Sequence, residues 1–193
     1  MCADVTGVQT LCSSDLFLSH IVTTDETWVY HYEAIDGVEA CDITHQEKFK
    51  SQRAVGKVML TVFWDMKGPV TISFLPKRSP VNAENYCELL ETVRGDIRSK
   101  WRGLLTTRVT LLQDNARPHT AARTLAKIDH MGWELLTHPP YSPDLAPSDY
   151  YLFGPLREHM RGNHFTTDGE VMQALRKWLL SQSREFTRLE YRS

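Results

Sequence analysis

No stretch of this chain approaches the roughly 20 consecutive apolar residues that a membrane-spanning helix needs, and no basic segment followed by an apolar one opens it. Neither a bilayer span nor a secretory leader is expected. Cysteine is scarce: Cys2, Cys12, Cys41 and Cys87 form no C-x-x-C pair and no regular framework. That spacing argues against a zinc knuckle and a disulfide scaffold and leaves four reduced thiols. None of the eight histidines has a closed ligand spacing beside paired cysteines. A glycine-rich phosphate loop is missing, as is a Gly-x-Ser-x-Gly elbow, so neither ATP use nor Ser-His-Asp hydrolysis is expected. Basic residues are absent from the first 47 positions, which carry nine acidic ones; the remainder carries 22 basic and 15 acidic residues. The net charge of −2 therefore hides a basic portion able to face phosphate.

With 193 residues, 41% of them hydrophobic, the chain can bury one domain core. Residues 19–32 alternate as a strand, which sends Asp25 and Glu26 to opposite faces. Residues 33–54 are polar and irregular. Lys57–Trp64 and Val70–Leu75 read as a hairpin around Asp65-Met66-Lys67-Gly68-Pro69. From Asn82, a candidate N-cap, apolar residues recur at helical spacing over 83–101. Val109–Gln113 is a short strand ending at Asp114, Ala121–His130 a helix stopped by Gly132, and Trp133–Thr137 another strand. Four prolines stiffen residues 139–147. A helix then starts near Pro147 with Asp149 in its first turn, where the helix end favours an ionised carboxylate. The last helix starts at Thr167, which forms a capping box with Glu170. Strand and helix periodicity makes Trp28, Trp64, Trp101, Trp133 and Trp178 core residues rather than stacking platforms. The elements alone imply an α/β fold in which an antiparallel meander is followed by parallel additions.

Three aspartates carry the chemistry. Asp25 lies in Thr23-Thr24-Asp25-Glu26-Thr27-Trp28, Asp114 in Leu111-Leu112-Gln113-Asp114-Asn115-Ala116-Arg117-Pro118-His119, and Asp149 in Tyr141-Ser142-Pro143-Asp144-Leu145-Ala146-Pro147-Ser148-Asp149-Tyr150. Each alone reads as an ordinary solvated carboxylate. Together they are the hard oxygen ligands that Mg²⁺ prefers, and carboxylates from separate segments can hold two ions about 4 Å apart around an in-line phosphoryl displacement. The 34 residues between Asp114 and Asp149, the quoted runs, and Val55-Gly56-Lys57-Val58-Met59-Leu60-Thr61-Val62-Phe63-Trp64-Asp65 together resemble the catalytic domain of a mariner family transposase, from about Phe17 to Phe186.

That resemblance implies an RNase H-like mixed sheet flanked by helices, with the first and fourth strands side by side. It implies Asp25, Asp114 and Asp149 as catalytic and metal-binding residues, with two Mg²⁺ or Mn²⁺ ions as cofactors. Double-stranded DNA is the implied partner, as transposon ends and a TA target, with a homodimer as a further partner, no ATP, no membrane, and the nucleus as the site of action. His119 stands where the family motif has a histidine and, with Asn115, is a candidate to orient Asp114 or contact DNA. A core or capping role for His119 and a turn role for Asn115 are equally open. Lys48, Lys50, Arg53 and Lys57 form a basic cluster suited either to a DNA backbone or to a solvated loop. Residues 1–16 do not resemble the family and read as a non-native leader, 17–187 as the catalytic domain, and 188–193 as an aberrant or truncated tail. Helix-turn-helix modules have no counterpart here, residues 33–53 lack the family's Trp-Arg-His signature, and Thr24 replaces a glycine. The function expected is strand cleavage and strand transfer by cut and paste. A catalytically silent remnant that binds nucleic acid or only folds is the alternative, and a nuclease acting on RNA a third.

Overall fold

Alternating side chains commit Ile21–Tyr32 to a strand, and in the computed structural model of the chain this strand, β1, is the centre of a five-stranded sheet. The structure describes residues 19–32, 55–76, 79–100, 109–138, 148–161, 163, 165 and 167–182. The expectations for residues 1–16, 33–54, 139–147 and 188–193 lie outside the described residues. β2 (Val55–Asp65) and β3 (Gly68–Phe74) follow β1 as an antiparallel meander. Their turn is held by Asp65 Oδ1, which accepts the Lys67 N–H at 2.8 Å, and by Gly68, whose φ of 127° a side chain would oppose.

Helix α1 (Ala83–Lys100) then crosses back, and Asn82 caps it by accepting the Asn85 N–H at 2.9 Å. β4 (Thr110–Asp114) joins the other edge of β1 in parallel, and β5 (Glu134–His138) adds to β4, again in parallel. The strand order is β3-β2-β1-β4-β5. The first and fourth strands are thus neighbours, as expected. Between β4 and β5 the chain runs through α2 (Arg117–Thr120) and α3 (Ala122–His130), and Gly132, at φ 70°, turns it into β5. A π-helical turn (Ser148–Phe153) leads into α4 (Gly154–Met160), and α5 (Asp168–Ser181) closes the described chain, its Thr167 cap accepting the Glu170 N–H at 3.3 Å.

Period two splits the sheet into two faces. Val22, Phe63 and Leu111 pack with Tyr86, Leu90, Val93 and Ile97 of α1 and Ile128 of α3. Val58, Leu60, Val62 and Trp64 pack on the other face with Leu152, Phe153 and Leu156, and with Val171, Leu175 and Leu179 of α5. Helices therefore flank both faces of a mixed sheet. Among the described residues no helix is long and apolar enough to cross a membrane.

The helix foreseen over 121–130 is present as α3, while the four-residue α2 ahead of it, set off by Ala121 at ψ 140°, was not foreseen. Two expectations need correction. The turn holding Asp149 is π rather than α: Pro155 has no N–H to give back to residue 151 and its ring crowds that carbonyl, so the turn before it widens. Trp28 is 40% exposed rather than core, since β4 ends before reaching that stretch of β1; Trp64 and Trp133 are buried as expected, and Trp101 lies outside the described residues.

Candidate active site

Two of the three aspartates share one face of the sheet, and the third enters on an element that covers that face. Asp114 is the last residue of β4, while Asp25 sits within β1 opposite Val62. The β1–β4 ladder matches Ile21 with Thr110, Val22 with Leu111 and Thr23 with Leu112. Carried two residues further, the same offset sets Asp25 level with Asp114. Level residues on adjacent strands point the same way, here to the side of Val62. Over that side lies the π-helical turn, whose Leu152 and Phe153 are buried among the same cluster and whose Ser148 Oγ accepts a hydrogen bond from Trp64 Nε1 at 2.9 Å. Asp149 is the second residue of that turn; its side chain lies outside the described residues. Among the described residues no group of three or more His, Cys, Asp or Glu stands close enough to hold a metal ion.

Asp114 is tightly tied on one oxygen. Oδ1 accepts the Ala116 N–H at 3.0 Å, a local turn that the Asp-Asn pair favours, and also meets His119 Nδ1 at 2.5 Å. β4 ends level with Asp25, so α2 carries His119 over the end of the strand, where it faces the next residue of β1. There His119 Nε2 lies 3.1 Å from Glu26 Oε1. The imidazole is only 3% exposed, and the Tyr86 ring rests on it with centroids 4.2 Å apart. Tyr86 in turn donates its hydroxyl to Gln113 Oε1 at 2.6 Å. Burial raises the Tyr86 pKa well above its ordinary value, the charges of Glu26 and Asp114 adding to it, so the phenol stays a donor.

Burial alone would lower the His119 pKa, but hydrogen bonds to Asp114 and Glu26 and the charges of both outweigh it and raise the value to about 9. Asp114 shifts the other way. Desolvation pushes its pKa up, and the His119 and Ala116 hydrogen bonds more than reverse this, leaving it below 3.8. At neutral pH the site therefore holds an imidazolium between two carboxylates, which is a charge-assisted pair on each ring nitrogen.

The other candidates are more scattered. Asn115 has an exposed side chain, and its N–H donates to His138 O at 3.0 Å, tying β4 to the end of β5. Lys57 is exposed with Nζ 4.3 Å from the centroid of the Trp28 ring, a cation–π contact. Lys48, Lys50 and Arg53 lie outside the described residues. Glu26 is the residue that the sequence did not point to. Alternation puts it on the face opposite Asp25, as expected, yet it reaches the site through a histidine 93 positions away. Nothing local in the sequence pairs those two positions.

A mixed sheet with this strand order, helices on both faces and carboxylates where its first and fourth strands meet defines an RNase H-like domain. Its relatives say which one. The crystal structure of the catalytic domain of Mos1 mariner transposase superimposes with a TM-score of 0.76 at 30% sequence identity, covering 91% of this chain and 76% of that one. The Mariner Mos1 transposase of Drosophila mauritiana is 31% identical over 179 residues, and the Histone-lysine N-methyltransferase SETMAR of Homo sapiens is 32% identical over 173 residues. Each of these two alignments takes in 88% of this chain. A family model described as Transposase (partial DDE domain) matches residues 42–107, a span that holds none of the three aspartates. The chain belongs to the mariner transposase family. It spans half the length of the Drosophila protein and a quarter of the human one. Structures of the Mos1 catalytic domain with Mn and with Mg match similarly, with TM-scores of 0.75 and 0.74, as does the Mos1 strand transfer complex, at 0.74.

Proposed function

We propose that this chain is a metal-dependent polynucleotidyl transferase domain that cleaves DNA strands at transposon ends and joins them to a TA target, with Asp25, Asp114 and Asp149 as its catalytic carboxylates. The observation that supports the reading most is the parallel β1–β4 register, which, continued two residues past Thr23 and Leu112, would set Asp25 level with Asp114 near the turn that bears Asp149. The donor set fits the ions held by the Mos1 structures, because carboxylate oxygens are the hard ligands that Mg²⁺ and Mn²⁺ take. Two bound ions would stabilise the attacking and leaving oxygens of an in-line displacement.

The chain's own residues do the rest. Asp25 and Asp114 would hold an ion between adjacent strands, and Asp149 would reach it from the helical turn above. The imidazolium of His119 keeps Asp114 ionised and fixes one of its oxygens, so the other is presented to the ion. Exposed Lys57, with Lys48, Lys50 and Arg53, would neutralise DNA phosphates. Double-stranded DNA is the substrate, a second copy of the chain the natural partner on paired ends, and the nucleus the place of action.

Nicking of supercoiled plasmid in Mn²⁺ at low salt, by wild type and Asp114→Asn side by side, tests this. Sequence-indifferent nicking by the wild type, lost in Asp114→Asn, is the expected result. Equal activity in both would assign the cleavage to a contaminant. Activity in neither, with a folded wild type, would leave the silent-remnant reading in its place.

A further inference from the structure

We propose that Glu26 is a positioning residue of this site, acting from the reverse face of the sheet through His119 on Asp114. The inference rests on the metal-binding reading of Asp114 given above. Its warrant is geometric. His119 Nδ1 stands 2.5 Å from Asp114 Oδ1 and its Nε2 3.1 Å from Glu26 Oε1, so a carboxylate fixes the ring at each end. The flat face of the ring is held as well, by Tyr86. A ring pinned at one nitrogen only can swing about that bond; pinned at both, with the tilted Tyr86 ring packed against it, it has a single orientation. With Oδ1 of Asp114 taken up by His119 and the Ala116 N–H, Oδ2 is the oxygen that would serve a divalent ion. Groups that orient a metal ligand in this way set affinity without touching the metal.

Alternation explains how an acid adjacent to Asp25 can take this part. In a regular strand residue 26 cannot share an ion with residue 25. Glu26 instead lines a cavity of about 460 Å³ on the other face, beside Tyr86, Met59, Thr61 and Pro118. The neighbouring carboxylates thus serve the same site from opposite sides of the sheet. The cavity also makes the idea testable, because open space beside Glu26 lets its side chain be shortened without leaving a hole in packed core.

Mn²⁺ affinity of the DNA-free protein, measured by titration calorimetry, and the ¹⁵N shifts of the His119 ring read the proposal without any cleavage assay. Glu26→Ala is expected to weaken Mn²⁺ binding about tenfold, the lower end for loss of a ligand's orienting partner, and to change the Nε2 shift. Glu26→Gln, whose Oε1 can still accept from Nε2–H, is expected to restore most of the affinity. Asp114→Asn run alongside separates the two levels. If Asp114→Asn abolishes binding while Glu26→Ala leaves affinity and ring shifts as in the wild type, this inference falls and the metal site stands. If the wild type binds no Mn²⁺, or Asp114→Asn binds as well as wild type, both fall.

Discussion

His119 is where the electrostatics of the site concentrate, and its shift has a sign that can be measured. In the unfolded chain an imidazole titrates near 6.5; in the fold the value is about 9. Its contribution to stability is therefore complete below 6.5 and is lost as pH rises through about 9. Asp114, lowered from 3.8, contributes above that value and loses its share as pH falls through its folded pKa. The pair is at full strength between about 3.8 and 6.5. In metal-free protein at pH 6, His119→Gln should lower the unfolding free energy by about 1.5–3 kcal/mol, the range for hydrogen bonds to charged groups. Urea titrations at pH 6 and pH 9.5 check this: the gap between wild type and variant should narrow at the higher pH, and an unchanged gap would deny the raised pKa. The sequence placed His119 five residues after Asp114 and left core, capping and orienting roles open. It is buried and orients at once, a combination visible only when β1 supplies Glu26 from far away in the chain.

Among the elements, β1 and the turn at Asp149 show most clearly what sequence can and cannot tell. Strict alternation made β1 readable, and with it the opposed directions of Asp25 and Glu26. The caps at Asn82 and Thr167 were equally legible, because a cap is a local hydrogen bond that needs no tertiary partner. The π-helical turn was not, since apolar spacing over a few residues cannot tell a π turn from an α turn, and Pro155 can start a helix as readily as widen the turn before it. The four-residue α2 escaped because so short a run shows no helical period, whereas the helix after it was legible up to its stop at Gly132. Pro155→Ala tests the role given to the turn. Restoring an N–H at 155 should let an α ladder run through and turn Asp149 away from its place, so Mn²⁺-dependent nicking should fall several-fold while the thermal midpoint holds or rises. Nicking at the wild-type level would show that the π geometry has no part in presenting Asp149. Leu156→Ala removes a buried anchor of α4 and should cost about 2–5 kcal/mol by urea unfolding; a near-neutral result would mean that α4 is not packed as described.

For the whole molecule, the fold was readable because its element order is distinctive and the aspartate runs are long, whereas the net charge of −2 hides the basic portion. The acidic first 47 residues mask a basic remainder, so any DNA affinity should depend steeply on salt and little on sequence. Binding of a random duplex measured between 50 and 200 mM salt should weaken as a straight line in log–log form; a salt-independent affinity would contradict a phosphate-facing surface. Whether Asp25 and Asp114 on neighbouring strands, completed by Asp149, form a divalent-metal centre is read out by an anomalous difference map from crystals soaked in Mn²⁺. A peak within bonding distance of both the Asp25 and Asp114 carboxylates, lost in Asp114→Asn crystals, is the predicted result. Peaks only at scattered surface carboxylates, with these aspartates turned apart, would contradict it.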